Sequence, residues 1–326
     1  MRRLVLHAGM DKTGTTAAQV HFSRRRDQHL DRGILYPLAG RFPNDVNHFA
    51  FFAAATDFPD AIPTPLSRNQ TRKPCSAHLK ELRQEIASTG AHTVILSHEV
   101  LWQPLAFPPD IISRIVKGIL QDWPGARAEI LVFLRESGAY ALSSYAQSVT
   151  GPQRSTQSFS RHVKQLSQRR TLSFERRLTE FAKVAGPQNL HVRTYTPDGE
   201  GTVSRMREVA GLEPLGVDAT PTKVNARSCW AGVGLHRMAN AAKMPQRVKR
   251  WSVVPIDRGL RKMTASSALM RRADSYLSPA RHADLARLRA DFPLPTWPLK
   301  AAANDPVDDT TPAQDPCNPT SAKGAA

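Results

Sequence analysis

The chain has 326 residues, of which 45 are Lys or Arg and 28 are Asp or Glu, so its formal net charge is +17. Apolar residues make up 40% of the chain, which is enough to bury a core and excludes a wholly disordered polymer. The charge favours anionic partners such as phosphorylated ligands, acidic glycans, nucleic acid or anionic lipid, without selecting among them.

Strand-like segments alternate with helical segments along most of the chain. Strands are predicted at Leu4–Leu6, Gly33–Pro37, Thr93–Ser97, Ala128–Leu134 and Leu190–Tyr195. Helices are predicted at Ala17–His29, His78–Ser88, Pro109–Gln121 and Ser137–Val149, and residues 233–290 are expected to be helical as well. This alternation predicts an α/β fold, a P-loop-like three-layer sandwich in which helices flank a central parallel sheet.

Composition also predicts how the chain is divided and where it is located. We expect one α/β domain over residues 1–298 and a disordered tail over 299–326, where Ala, Pro, Asp, Thr and Ser follow one another without periodicity. Cys75, Cys229 and Cys317 are far apart and odd in number, which excludes a disulfide framework. The longest apolar run, Phe49 to Ala55, is too short to span a membrane. We therefore expect a soluble cytoplasmic protein.

The turn between the first predicted strand and the first predicted helix has the composition of an anion-binding site. It reads Gly9-Met10-Asp11-Lys12-Thr13-Gly14-Thr15-Thr16. Backbone N–H groups in such a turn point inward, the helix N-terminus adds positive potential, and Gly14 lets the backbone approach an anion closely. Lys12 supplies a point charge, and hydroxyl donors come from Thr13, Thr15 and Thr16.

This turn differs from the phosphate loop of ATPases, which has the pattern G-x-x-x-x-G-K-[ST]. Here Lys12 precedes Gly14, so its ammonium group would reach a different part of the ligand. Neither the strand ending at Ser97 nor the strand ending at Leu134 is followed by a well-placed magnesium-binding aspartate. The pattern disfavours an ATP-dependent kinase-like phosphotransferase, which stays open as an alternative.

The segment Lys12-Thr13-Gly14-Thr15-Thr16 resembles the 5′-phosphosulfate loop of sulfotransferases that use 3′-phosphoadenosine 5′-phosphosulfate (PAPS). A second signature of that family is an Arg at a strand end followed eight positions later by a Ser, and Arg135 and Ser143 have this spacing. The strand end would direct Arg135 into the crevice where α/β sheets bind ligands, and a guanidinium group can hold a phosphate with two hydrogen bonds. The wider pattern H-x-G-x-x-K-T-G-T-T, which opens here at His7, is similar to that of bacterial sulfotransferase-like proteins.

The resemblance implies a role for each of these residues. Lys12 would stabilise the leaving phosphate, and Arg135 and Ser143 would bind the 3′-phosphate of the donor. The 5′-phosphate and sulfate would be held by Thr13, Gly14, Thr15 and Thr16. Catalysis would then depend on positioning and electrostatic stabilisation, and this scheme requires no metal. The resemblance extends more loosely to Lys223–Ser228, which could contact the donor.

The acceptor hydroxyl needs a general base, for which two residues are candidates. His48 is the first choice, because imidazole titrates near neutral pH and the order of lysine loop, histidine and Arg–Ser pair matches the family. Glu99 is the rival, because it follows a strand at its ligand-facing end and some glycan sulfotransferases use a glutamate. A structural role stays open for each: capping the helix from Phe49 for His48, and capping the helix that begins near Val100 or anchoring a loop arginine for Glu99.

These patterns together predict a PAPS-dependent sulfotransferase that acts on a hydroxyl of a carbohydrate or glycolipid. The basic stretch Arg161–Arg177 could attract an acidic glycan, although a solvated helix face explains each arginine more simply. The non-enzyme alternative is a basic nucleic-acid-binding protein. The net charge permits it, but aromatic residues make up only 7% of the chain and no nucleic-acid motif is present.

Overall fold

A five-stranded parallel sheet with the order β2-β3-β1-β4-β5 forms the centre of the protein. The structure is a computed structural model that describes residues 1–43, 45–55, 73–104, 107–195, 201–213 and 230–260. Each of the five strands lies on a predicted strand segment: β1 (Arg2–His7), β2 (Ile34–Leu35), β3 (Thr93–Ser97), β4 (Ala126–Leu134) and β5 (Leu190–Thr194).

Helices connect the strands and cover the sheet. They are α1 (Thr15–Arg24), α2 (Arg26–Leu30), α3 (Phe49–Ala55), α4 (Cys75–Thr89), α5 (Pro109–Leu120), α6 (Ser137–Thr150), α7 (Phe159–Gln168), α8 (Phe174–Ala185), α9 (Thr202–Ala210), α10 (Trp230–Ala241) and α11 (Gln246–Leu260). Two 3-10 helices lie at Glu99–Trp102 and Pro187–Asn189. The helix predicted over Ala17–His29 is divided into α1 and α2, because Arg25 leaves helical backbone geometry.

The sheet is buried on both faces, which confirms the predicted three-layer α/β architecture. Alternate residues of a strand point to opposite faces. On one face Leu4, Leu6 and Val94 pack with residues of α4, α5 and α8. On the other face Val5 and Ile95 pack with residues of α1 and α9. Among the described residues, no helix has the length and apolarity that a membrane span requires.

Strand order places three connecting segments at one edge of the sheet. β1 lies between β3 and β4, and all three run in parallel, with His7 in register with Ser97 and Leu131. The chain therefore leaves these strands at the same edge, where parallel α/β sheets bind ligands. The three segments are the turn after β1, the 3-10 helix after β3, and Arg135 after β4.

Some predictions fall outside the described residues. These are the domain boundary at residue 298, the tail, the helical stretch beyond residue 260 and the segment Lys223–Ser228. Within the described part of the region from residue 233, α10 and α11 are helical as predicted.

The basic stretch Arg161–Arg177 forms α7 and the start of α8, and the expectation of a solvated face is wrong at Arg177. That side chain is buried, whereas its neighbour Arg176 has a side chain that is 58% exposed. The Arg177 Nη2 atom donates to the carbonyl oxygens of Phe107 (2.7 Å) and Leu101, and Nη1 donates to Glu180 Oε2 at 2.7 Å. Burial is tolerated because the guanidinium group finds both carbonyl and carboxylate partners.

Candidate functional site

The turn between β1 and α1 is braced through its carbonyl oxygens. Thr13 Oγ1 donates a hydrogen bond to the Met10 oxygen at 2.6 Å. Arg135 Nη1 donates to the Lys12 oxygen at 2.6 Å, and Thr202 Oγ1 donates to the Thr13 oxygen. Protein donors therefore satisfy the carbonyl oxygens of Met10, Lys12 and Thr13, and they bring the end of β4 and the start of α9 onto the turn.

The N–H groups of the same turn are not satisfied in this way. Within the described part of the chain, no acceptor takes a hydrogen bond from the backbone N–H groups of residues 12–16. The last two of these residues begin α1, where the helix dipole adds positive potential. A turn whose carbonyls are paired and whose N–H groups are not is suited to hold an anion.

Two glycines allow the turn to pack so closely. Gly14 has φ +77°, and a Cβ atom there would lie 2.9 Å from Thr202 Oγ1. Gly9 has φ +134°, and a Cβ atom there would lie 2.7 Å from Trp102 Cβ. The turn is thus pressed against α9 on one side and against the 3-10 helix Glu99–Trp102 on the other.

Four charged side chains interact around the turn. Burial lowers the pKa of Lys12, while the nearby Asp11 and Glu99 carboxylates raise it and Arg135 lowers it further. Burial raises the pKa of Asp11, with Lys12 opposing, and the Tyr140 hydroxyl donates to Asp11 Oδ1 at 2.8 Å. The site therefore combines two cations with two carboxyl groups.

Glu99 is held by a buried glutamine of α1. Gln19 Nε2 donates to Glu99 Oε2 at 2.7 Å and to Ser97 Oγ at 3.1 Å. Ser97 Oγ lies 2.8 Å from His7 Nδ1. Glu99 thus lies near Lys12 and is connected through Gln19 to the buried ends of β1 and β3.

His48 lies behind this edge, with both ring nitrogens in hydrogen bonds. Its Nδ1 accepts from the Ser97 N–H at 3.0 Å, and its Nε2 lies 3.2 Å from the Pro37 oxygen. The ring is fully buried against Tyr36, and burial lowers the pKa of His48 to about 3. Neither nitrogen is left to take a proton from an acceptor. The capping role considered for this segment is filled by Asn47, whose Oδ1 accepts from the Phe49 N–H at 2.9 Å.

Arg135, the first residue of the Arg135–Ser143 signature, contacts the turn that carries Lys12. Its side chain is 4% exposed, and its guanidinium carbon lies 5.3 Å from the centroid of the Tyr195 ring, in addition to the hydrogen bond to Lys12. Ser143 is half-buried about two turns into α6, the helix that follows Arg135. Arg135 and Lys12 therefore lie on the same side of the sheet, as a shared ligand would require.

Three residues of this arrangement were not predicted from the sequence: Gln19, Tyr140 and Thr202. Gln19 lies four positions after Thr15 on a helix that continues from the turn, so its inward direction was in principle readable from helical periodicity. Tyr140 and Thr202 reach the turn from positions 129 and 189 residues away, and no local pattern indicates such contacts.

Comparisons with known proteins add little. No family model matches the chain, and no curated protein matches it. A crystal structure of a sulfotransferase from Alicyclobacillus acidocaldarius is similar, with 17% sequence identity, 77% coverage of this chain, 96% coverage of that chain and a TM-score of 0.44. At this identity and TM-score the likeness gives no basis for assigning a function.

Proposed function

We propose that this protein is a sulfotransferase that moves a sulfuryl group from PAPS to a hydroxyl acceptor. The supporting observation is the turn after β1, in which the N–H groups of residues 12–16 have no acceptor among the described residues. The turn carries the Lys12 side chain, and Arg135 braces it through the Lys12 carbonyl oxygen. The sequence resemblance of Lys12–Thr16 and of the Arg135–Ser143 pair to PAPS-dependent enzymes specifies which anion this turn would hold. A hydroxyl of a carbohydrate or glycolipid is the proposed acceptor, on the same resemblance.

The residues present suit a doubly phosphorylated donor. The N–H groups of residues 12–16 would hold the 5′-phosphosulfate, with Thr15 and Thr16 adding hydroxyl groups. Thr13 would contribute through its N–H, because its hydroxyl hydrogen is used by the Met10 oxygen. Arg135 and Ser143 would bind the 3′-phosphate, and Lys12 would stabilise the charge that develops on the leaving phosphate.

We propose Glu99 as the general base in place of His48. The acceptor oxygen forms a bond to sulfur, the bond between sulfur and the bridging oxygen breaks, and the acceptor proton passes to a Glu99 carboxylate oxygen. The Glu99 carboxylate lies close enough to Lys12 to raise the pKa of the Lys12 ammonium group. The proposed base and the group that stabilises the leaving phosphate therefore belong to one site. His48 would instead support this edge of the sheet through Ser97 and Pro37.

Calorimetric titration with adenosine 3′,5′-bisphosphate, the product of the donor, tests this proposal. We expect saturable binding with a dissociation constant of roughly micromolar size, weakened about tenfold or more in Lys12→Ala by the loss of a charge-assisted hydrogen bond. Lys183→Ala is the matched control, because it removes one exposed lysine from α8.

Four outcomes would overturn the proposal. Absence of saturable binding, or equal losses in Lys12→Ala and Lys183→Ala, would remove the donor assignment. Tighter binding of ATP with magnesium than of the bisphosphate would favour a kinase. Binding of arbitrary DNA with a steep salt dependence, without binding of the bisphosphate, would favour a nucleic-acid-binding protein.

A further inference from the structure

We infer that Gln19 is a positioning residue for Glu99, held in place by a buried hydrogen-bonded chain that runs through Ser97 to His7. The inference rests on the proposed role of Glu99 and names a residue that the sequence motifs do not include. Its basis is three contacts between side chains: Gln19 Nε2 to Glu99 Oε2 at 2.7 Å, Gln19 Nε2 to Ser97 Oγ at 3.1 Å, and Ser97 Oγ to His7 Nδ1 at 2.8 Å.

The hydrogen-bonded series from Gln19 through Ser97 to His7 is anchored in the centre of the sheet. His7 and Ser97 are the last residues of β1 and β3, they are in register, and both are fully buried. Gln19 is 1% exposed and lies on α1, directly after the anion-binding turn. A side chain fixed at this point is held by two strands and a helix, so it can hold Glu99 more rigidly than a loop residue could.

The orientation of the Gln19 amide is dictated by its neighbours. The amide nitrogen has two hydrogens, which match its two contacts with Ser97 Oγ and the Glu99 carboxylate. The reversed amide would place its oxygen against the carboxylate, which has no proton to donate when ionised. The Gln19 amide is therefore a donor to Glu99.

A donor in this position has a chemical consequence for the proposed base. The hydrogen bond from Gln19 holds the carboxylate group in one orientation near Lys12. It also occupies Oε2, so that the acceptor proton passes to Oε1. Gln19 would thus reduce the number of orientations that the Glu99 side chain samples.

Gln19→Met tests this inference, because methionine has nearly the same shape and lacks both N–H donors. The direct readout is the steady-state kinetics of PAPS cleavage with water as the acceptor, which separates kcat from KM. We expect kcat to fall about tenfold in Gln19→Met, with the KM for PAPS within about twofold of wild type. Gln103→Met is the matched control, because Gln103 contacts Tyr140 and Thr171 instead of Glu99, and we expect no comparable loss in kcat there.

A double-mutant cycle with Glu99→Gln gives a second readout. In the Glu99→Gln background we expect Gln19→Met to reduce the rate by less than about twofold, because Gln19 acts through Glu99, and we expect bisphosphate affinity to stay within about twofold of wild type. An unchanged kcat in Gln19→Met, or additive rate losses from the two substitutions, would overturn the positioning role. Those results with normal bisphosphate binding would reject this inference alone, whereas absent bisphosphate binding in the wild type would reject the proposed function.

Discussion

Glu99 and His48 differ in what their polar atoms already do. His48 uses both ring nitrogens to join Pro37 to the backbone of Ser97, and it lies inside the core. Glu99 has a hydrogen bond from Gln19 to one carboxylate oxygen and lies close to Lys12. The hydrogen bonds that each side chain already makes therefore distinguish a structural residue, His48, from a candidate base, Glu99. They do so although the ordinary pKa of imidazole suits a general base better than that of a carboxylate.

Substitution of each residue should therefore give opposite kinds of defect. We expect Glu99→Gln to slow PAPS cleavage by about 10²–10⁴-fold, as for a lost general base, with unchanged affinity for the bisphosphate. We expect His48→Leu to lower the free energy of unfolding by about 1–3 kcal/mol, because it leaves the buried Ser97 N–H without its acceptor, whereas the Pro37 oxygen keeps the hydrogen bond from Arg41. A folded His48→Leu that loses a hundredfold in rate, beside an active Glu99→Gln, would reverse the assignment.

The sequence indicates the location of the turn after β1 more directly than it indicates which residue is the proposed base. Lys12, Gly14 and the threonines lie within eight consecutive residues between a strand and a helix, so their common location follows from local structure. The choice between His48 and Glu99 depends on contacts with Pro37, Ser97 and Gln19 that span up to 80 residues. Such contacts leave no periodic signal, and only the folded structure shows which polar atoms they use.

At the level of elements, α8 and the connection that precedes it support the 3-10 helix that begins with Glu99. Arg177 donates to the carbonyl oxygens of Leu101 and Phe107, which lie in and after this helix. Trp102 Nε1 donates at 2.9 Å to the carbonyl oxygen of Thr171, which lies in the connection between α7 and α8. The basic stretch, expected to be a solvated surface, thus contains a buried support for the segment that carries the proposed base.

The neighbouring arginines of α8 provide a matched test of this support. We expect Arg177→Ala to reduce the free energy of unfolding by about 3 kcal/mol, because it leaves two carbonyl oxygens and Glu180 without their buried partner. Arg176→Ala should cost less than about 0.5 kcal/mol, because the Arg176 side chain is 58% exposed and Glu180 keeps its ion pair with Arg177. Urea denaturation of both variants measures the difference. Equal losses would contradict the buried role of Arg177.

At the level of the whole molecule, the sheet was predictable because its strands are short, β-branched and buried on both faces, a pattern typical of parallel sheets. Their order was not predictable, because the pairing of β1 with both β3 and β4 joins segments about 90 and 125 residues apart. This order brings Lys12, Glu99 and Arg135 to one edge. The global pairing of strands, more than any single motif, therefore assembles the site.

The centre of the fold also buries several neutral histidines, which should make the protein sensitive to acid. Burial lowers the pKa of His7, His48 and His98 to about 3, and the His98 ring lies stacked on Phe52 without a hydrogen-bond partner in the described chain. In the unfolded chain these rings take up protons below about pH 6.5. Because the unfolded state then binds more protons, the free energy of unfolding falls as the pH decreases from about 6.5 towards 3.

Equilibrium unfolding between pH 7 and pH 5, where most carboxylates stay ionised, measures this effect. Each histidine contributes at most about 1.4 kcal/mol per pH unit, so we expect a clear loss of stability over this range. His98→Leu keeps the apolar packing and should reduce the slope by the contribution of one proton. A free energy of unfolding that stays constant from pH 7 to pH 5 would contradict neutral burial of these rings.

We propose that one edge of the sheet holds both phosphate groups of a doubly phosphorylated adenosine. A crystal structure of the protein with adenosine 3′,5′-bisphosphate tests it most directly. We predict that the 5′-phosphate accepts hydrogen bonds from the backbone N–H groups of residues 12–16, and that the 3′-phosphate lies against Arg135 and Ser143. A bisphosphate bound elsewhere, or one whose 5′-phosphate does not touch the turn after β1, would contradict the account.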